Sequence, residues 1–150
     1  MGKTYNVLVF PAGEVNSVEL HAALSVNVNI NVFGASSVDR HGGYVFKNYI
    51  SNLPHINKES FLEELNKLIE KWNIDVVIPT HDTVVLYFAR HRDKINSKVL
   101  VPSFETAQAC RDKEYAYDIF QGFEFVPDVY KNLDQIIDGE YFVKPKEGQG

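Results

Sequence analysis

The stretch IDVVIP, Ile74 to Pro79, decides the fold class that the sequence predicts. It is a near-continuous run of apolar, mostly β-branched residues, which is typical of strands buried on both faces of a parallel sheet. A helical pattern follows from about Asp82 to Arg92, and the run KVLVP, Lys98 to Pro102, predicts the next strand. Strands that alternate with helices in this way indicate a parallel sheet.

The same alternation runs toward the N-terminus. The segments YNVLVF, Tyr5 to Phe10, and NINVF, Asn29 to Phe33, predict two more strands, with a helix from Asn16 to Leu24 between them. Residues 35–54 predict a long connection, and apolar residues at spacings of three and four predict a helix from Lys58 to Trp72. The fold class is therefore α/β, a Rossmann-like, doubly wound and mostly parallel sheet.

The pattern changes after Arg111, so we predict one domain over residues 1–111 and a second region over residues 112–150. In the second region we expect a helix to Gln121, a short helix near Leu133 to Ile137 and a final strand at Tyr141 to Pro145. Cys110, the single cysteine, is predicted to be a reduced core residue.

Composition excludes two classes of partner. The net charge is -5 and Lys and Arg are not clustered, which argues against a nucleic-acid surface. No apolar run approaches the ~20 residues that cross a membrane, and no signal peptide is recognisable, so we expect a cytoplasmic protein without a membrane partner. The histidine spacings predict no metal site.

Polar residues follow two of the predicted strands. Glu14, Asn16 and Ser17 come after the first strand, and His81 and Asp82 come after IDVVIP. Ligands of such sheets bind at the carboxyl ends of the strands, so this edge is a candidate site, although helix capping alone would explain Asn16 and Asp82. The first turn carries only Gly13 of a G-x-G-x-x-G pattern, which disfavours a dinucleotide.

Two lysines suit an anionic partner. Asp112 is a predicted N-cap, which puts Lys113 in the first helical turn; it either meets a phosphate or is a surface lysine paired with Asp112 or Tyr117. Lys144 ends the last predicted strand on the same face as Phe142 and precedes a glycine-rich turn. That position fits a phosphate beside a stacked base, or a solvated lysine.

Together these segments resemble the ATP-grasp superfamily. The motifs are the pair Asp112-Lys113, then GFEFVP from Gly122 to Pro127, YFVKP from Tyr141 to Pro145 and KEGQG from Lys146 to Gly150. The first part of the chain resembles the pre-ATP-grasp domain of carbamoyl-phosphate-synthase-like ligases, so the resemblance covers the whole chain. Its first turn departs from that family because it lacks several glycines.

The resemblance implies an ATP-dependent ligase that activates a carboxylate as an acyl phosphate, which an amine then attacks. It implies ATP contacts at Lys113, Lys144, Glu147, Gly148, Gln149 and Gly150, and substrate contacts at Glu14, Asn16, Ser17 and Asp82. Residues 112–150 would be the start of an incomplete ATP-grasp lobe. The Mg²⁺ ligands would lie downstream of Gly150, so this chain would hold no catalytic residue and be inactive alone. The implied partners are small-molecule carboxylates and amines, and a homo-oligomer is compatible with them.

Two other functions stay open. One is a stand-alone Rossmann-like module that binds a nucleotide or sugar nucleotide, against which the glycine-poor first turn argues. The other is a non-catalytic interaction domain, which would make the Lys113 and Lys144 pattern a coincidence.

Overall fold

The computed structural model describes residues 2–39 and 41–143 of the chain. Its sheet has five strands in the order β3-β2-β1-β4-β5, and each pair of neighbours is parallel. The strands are β1 (Tyr5–Phe10), β2 (Ile30–Ala35), β3 (Asn48–Ile50), β4 (Val76–Pro79) and β5 (Lys98–Val99). The predicted doubly wound parallel sheet is confirmed.

The described helices are α1 (Val15–Ser25), α2 (Gly42–Val45), α3 (Phe61–Trp72), α4 (Asp82–Arg90), α5 (Phe104–Arg111) and α6 (Lys113–Ile119). Short 3-10 turns occupy Arg92–Lys94 and Leu133–Gln135. Residues 35–54 are not a plain connection as predicted, because α2 and β3 lie within them. Both elements are too short to leave a periodic pattern in the sequence.

The main core lies between the sheet and the helices α3 and α4. Leu8 and Phe10 of β1 and Val77 of β4 pack there against Phe61 and Phe88. The rings of Phe10 and Phe61 have centroids 5.4 Å apart, and those of Phe10 and Phe88 are 6.1 Å apart. The apolar residues of α3 recur at spacings of three and four because they all face this core.

A smaller cluster lies on the other face of β1. Val9 alternates with Leu8 and Phe10 along the strand, so it points to the opposite side, where it packs with Ala12 and Phe46. Phe46 directly follows α2 and meets the ring of His21 in α1, with centroids 4.8 Å apart. The sheet is therefore covered on both faces, as a doubly wound fold requires.

Three helix ends use the residues that local chemistry predicts. Asn73 ends α3 in the left-handed conformation with φ 48°. The Ser103 hydroxyl oxygen accepts the N–H of Thr106 at 3.2 Å before α5, and the Asp112 carboxylate accepts the N–H of Tyr115 at 3.1 Å at the start of α6.

The chain forms two compact units, Met1–Ala107 and Gln108–Gly150. In the second unit α6 ends at Ile119. The described residues 141–143 have no strand conformation, so the prediction of a final strand is wrong for these three residues. Cys110 is exposed, which contradicts its prediction as a core residue, because α5 buries Ala107 instead. The assignment of residues 1–111 and 112–150 to the domains of a ligase stays a prediction.

Candidate functional site

The strand order reverses between β1 and β4. From β1 the chain adds β2 and β3 on one side, and it returns to place β4 and β5 on the other side. In open α/β sheets a crevice forms outside the carboxyl ends of the two strands at such a point, and ligands bind there. The segments that follow these strands, residues 11–14 and 80–82, lie at this point of the sheet.

Hydrogen bonds hold these two segments together. The Thr80 hydroxyl donates to the carbonyl of Pro11 at 2.6 Å, and the Thr80 N–H donates to the carbonyl of Phe10 at 3.0 Å. On the other side, the N–H of Ala12 donates to the carbonyl of Ala35 at 2.7 Å. The turn after β1 is therefore tied to both neighbouring strands, which restricts the movement of Glu14. The sequence alone does not single out Thr80, because its bond to Pro11 depends on the pairing of two strands that are far apart in the chain.

The three predicted substrate contacts after β1 differ in their exposure. Glu14 is the half-buried N-cap residue of α1, and Asn16 is exposed in the first turn of that helix. Ser17 is fully buried, and its hydroxyl donates to the carbonyl of Glu14 at 2.6 Å. Glu14 and Asn16 are accessible from this turn, while the Ser17 hydroxyl supports the Glu14 backbone.

Helix capping does not explain Asn16 and Asp82 after all. Helix α1 begins at Val15, so Asn16 lies inside it. Helix α4 begins at Asp82, and its N-cap residue is His81, whose Nδ1 accepts the N–H of Thr83 at 3.2 Å. Asp82 is exposed, and its carboxylate lies in the first turn of α4, where its negative charge interacts favourably with the positive end of the helix dipole.

Helix α2 closes tightly on the turn after β1. A Cβ atom added at Gly42 would lie 1.8 Å from the carbonyl oxygen of Ala12 and 2.4 Å from Cε2 of Tyr49. Only a glycine allows this approach of two backbones. The Tyr49 hydroxyl oxygen is buried and has no hydrogen-bond partner within the described part of the chain.

The segments at this edge lack the residue types of a phosphate-binding turn. Glu14 and Asp82 are acidic, and residues 11–17 and 80–84 contain no Lys or Arg. Gly13 is the only glycine of the first turn, so its backbone cannot approach a pyrophosphate as a glycine-rich turn does. Within residues 2–39 and 41–143 no group of three or more His, Cys, Asp and Glu side chains is placed to hold a metal ion.

The second unit places Lys113 at the first position of α6, half-buried and directly after the capping residue Asp112. Lys131 lies 3.0 Å from the carboxylate of Asp118 and 3.2 Å from that of Glu114. The hydrogen bond to Asp118, and to a smaller extent that to Glu114, raises the pKa of the Lys131 ammonium group. Lys131 is thus engaged by acidic side chains.

A cavity of about 370 Å³ in the second unit is lined by Tyr117, Asp118, Gln121, Tyr130, Lys131 and Gln135, among others. The predicted ATP contacts Lys144, Glu147, Gly148, Gln149 and Gly150 lie outside the described residues. Their role stays a prediction.

No family model matches the chain, and no curated protein matches it. Several solved structures match the chain. One of them is glycinamide-RNase-transformylase T from Mycobacterium tuberculosis, with a TM-score of 0.55 and 16% sequence identity. The match covers 76% of this chain and 33% of that enzyme, so the chain spans about a third of its length. At this identity the likeness shows the fold alone. No helix in the described ranges is long and apolar enough to span a membrane.

Proposed function

We propose that this chain supplies the N-terminal part of an ATP-dependent carboxylate–amine ligase of the ATP-grasp superfamily. The observation that carries the proposal is the fold that covers 76% of the chain and is shared with a transformylase. That neighbour is an ATP-grasp enzyme, which supports an ATP-grasp-like fold for this chain. The carbamoyl-phosphate-synthase-like subtype rests on the sequence motifs.

The two units have different tasks in this proposal. The first unit binds the acceptor substrate at the carboxyl edge, where Glu14, Asn16 and Asp82 are accessible and Ser17 supports the turn. The first turn contains Gly13 as its only glycine, which argues against the alternative of a stand-alone nucleotide-binding module, because its backbone cannot approach a pyrophosphate closely. ATP is bound by Lys113 and Lys144, together with the loop over Glu147–Gly150.

The proposed chemistry has two steps. The γ-phosphoryl group of ATP passes to a carboxylate oxygen, which forms an acyl phosphate and releases ADP. A substrate amine then attacks the acyl carbon, the C–O bond to phosphate breaks, and the amine loses a proton. Lysine side chains stabilise the negative charge on the phosphoryl oxygens during transfer. Mg²⁺, which assists such transfer, would be held by residues downstream of Gly150.

The test measures ATP binding by the full-length protein that contains this chain. We expect Lys144→Ala to raise the dissociation constant for ATP with Mg²⁺ about tenfold to a hundredfold, because a charge-assisted hydrogen bond contributes roughly 1.5 to 3 kcal/mol. Lys113→Ala should have a smaller effect, because the backbone N–H groups of the first turn of α6 remain after that change. Lys98→Ala, an exposed lysine of β5, is the control. ATP binding by Lys144→Ala that equals wild type in a calorimetric titration would contradict the proposal.

A second measurement is ADP release. The chain of residues 1–150 should show no turnover with any carboxylate and amine, whereas the full-length protein should turn over with at least one pair. Turnover by the short chain at about 1 per second, an ordinary enzymatic rate, would mean that the site is built differently. The cytoplasmic location and the homo-oligomer stay predictions.

A further inference from the structure

Helix α1 does not have the charged outer face of a solvated helix. Its 11 residues include one charged side chain, Glu19, and its last turn contains no basic residue. Helix α3 on the other face of the sheet differs, because its exposed Lys67 forms ion pairs with Glu63 at 2.7 Å and with Glu64 at 2.8 Å. A helix that is apolar on all sides is normally covered on all sides.

The apolar residues of α1 lie on two opposite sides of the helix. Successive residues of an α-helix are rotated by about 100° around its axis. Leu20 and Leu24 therefore share one side, where both are half-buried and Leu20 packs on the smaller core cluster. The opposite side is centred on Ala22, which is exposed. Within about 40° of it lie Val15, Val18 and the helical C-cap residue Val26, which are 74%, 37% and 81% exposed. We call these four residues the outer face of α1.

The outer face of α1 is complementary to itself. When two copies of α1 run antiparallel about a two-fold axis at Ala22, Val18 of each copy faces Val26 of the other. Ala22 faces its own counterpart, and its small side chain allows the helix axes to approach to about 8 Å. Glu19 faces Ser25, so the carboxylates of the two helices do not oppose each other. A two-fold interface requires a surface that matches itself in this way.

The charge of the protein also favours a second copy at this face. The net charge is -5, so two copies repel each other across an ordinary acidic surface. Residues 15–38 contain a single charged residue, Glu19, so repulsion is small where α1 lies. A basic partner would gain nothing from a face that is almost without charge.

We infer that the outer face of α1 is a docking surface for a second copy of this chain, with the two α1 helices antiparallel and Ala22 at the two-fold axis. This inference goes beyond the proposed ligase function and does not depend on it. A standard interface buries about 800 Å² on each partner, whereas a helix of this length spans only about 16 Å. The dimer is therefore weak, with a dissociation constant between about 1 µM and 1 mM.

The first test is sedimentation equilibrium of the protein of residues 1–150 at about 10 µM to 1 mM. The wild type should shift from monomer to dimer over this range. Ala22→Glu brings two carboxylates together at the axis and should weaken dimerisation about a hundredfold or more. Glutamate is a good helix former and position 22 is exposed, so the fluorescence of Trp72 during urea unfolding should match wild type.

Lys71→Gln is the matched control, because it changes the net charge by the same amount at an exposed position of α3. It should dimerise like wild type. A monomer at every concentration, or an equal loss of dimer in both variants, would overturn the inference. A dimer that Ala22→Glu leaves intact would also overturn it, because the copies would then meet at another surface, such as the exposed Phe123 and Phe125.

Disulfide cross-linking tests the position of the axis. Cys110 is exposed, so the variants are made together with Cys110→Ser. Under mild oxidation Ala22→Cys should form a covalent dimer, because a disulfide requires Cα atoms within about 7 Å of each other. Ala23→Cys is the control, since position 23 is also exposed but lies about 100° away around the helix. Equal cross-linking at the two positions would contradict the inference.

The direction of the helices is tested by mixing two single variants. Val18→Cys mixed with Val26→Cys should give more covalent dimer than either variant alone, because these positions face each other only in the antiparallel pairing. More dimer from each variant alone than from the mixture would indicate parallel helices and overturn the inference.

The last test uses the full-length protein that contains this chain, in which other residues could cover the outer face of α1. Ala22→Cys should form the same covalent dimer there. If the full-length protein is a monomer and the thiol introduced at position 22 does not react with a maleimide, the rest of the protein covers this face, and the inference is wrong.

Discussion

Replacement of Gly42 by alanine tests how helix α2 is packed on the turn after β1. The added Cβ would lie 1.8 Å from the carbonyl oxygen of Ala12, whereas an ordinary contact begins near 3.4 Å. One of the two backbones must therefore move by about 1.6 Å, the difference between these distances. The neighbour is a backbone atom and not the end of a flexible side chain, so the shift affects the whole turn that carries Gly13 and Glu14.

The expected cost combines two effects of opposite sign. Overpacking of this kind destabilises by about 1 to 3 kcal/mol, and a backbone neighbour favours the upper end of that range. Alanine in place of glycine in a helix stabilises by about 1 kcal/mol. We therefore expect Gly42→Ala to lower the free energy of unfolding by about 2 kcal/mol.

Gly43→Ala is the matched control in the same helix. Its Cβ would lie 3.4 Å from Cδ1 of Tyr49, which is an ordinary contact, so only the helix term applies. Trp72, the single tryptophan, lies in α3, and its fluorescence reports urea unfolding of the first unit alone. The midpoint for Gly42→Ala should fall by roughly 1 M urea, while that for Gly43→Ala should stay or rise. Equal midpoints for the two variants would refute the packing argument.

Three further predictions use the same tryptophan signal. The backbone N–H of Asn6 and the ammonium group of Lys3 hold the pKa of Asp75 below its ordinary value. The Asp75 carboxylate therefore stabilises the folded state above about pH 4, and this stability is lost as the pH falls through the lowered pKa. Asp75→Asn should therefore be less stable than wild type at pH 7, and the difference should shrink at pH 3; a constant difference would contradict this. Asn73→Val should cost about 1 to 2 kcal/mol, because φ is 48° there, whereas Asn73→Gly should be near neutral. Thr80→Val, which removes the 2.6 Å hydrogen bond to Pro11, should cost about 1 to 2 kcal/mol, and wild-type stability would show that the bond contributes nothing.

Elements with strong local signals could be predicted from the sequence. The buried strand around Val77 has a β-branched apolar run, and α3 has an apolar face that repeats with the helical period. The cap at Asp112 could be predicted because an aspartate side chain can accept a backbone N–H three residues away. Ser103 and Asn73 are likewise residue types that favour the start and the end of a helix. Such signals depend only on neighbours in the chain.

The short elements α2 and β3 and the exposure of Cys110 could not be predicted from the sequence. Helix α2 begins with two glycines, which have low helix propensity, and β3 has three residues at the edge of the sheet. Both form because tertiary contacts hold them, with Gly42 against the turn after β1 and β3 against β2. Cys110 was expected in the core because of its residue type, yet the orientation of α5 leaves it exposed.

For the candidate site, the sequence by itself determined which residue types follow β1 and β4. Glu14, Asn16 and Asp82 could be named because polar residues after apolar strands of a parallel sheet lie at its carboxyl edge. Only the tertiary structure decided which of them are accessible, and that His81 and not Asp82 caps α4. The physical reason is that these features depend on contacts between residues far apart in the chain, such as the 2.6 Å bond from Thr80 to Pro11, which joins the ends of two strands and leaves no pattern in either segment alone.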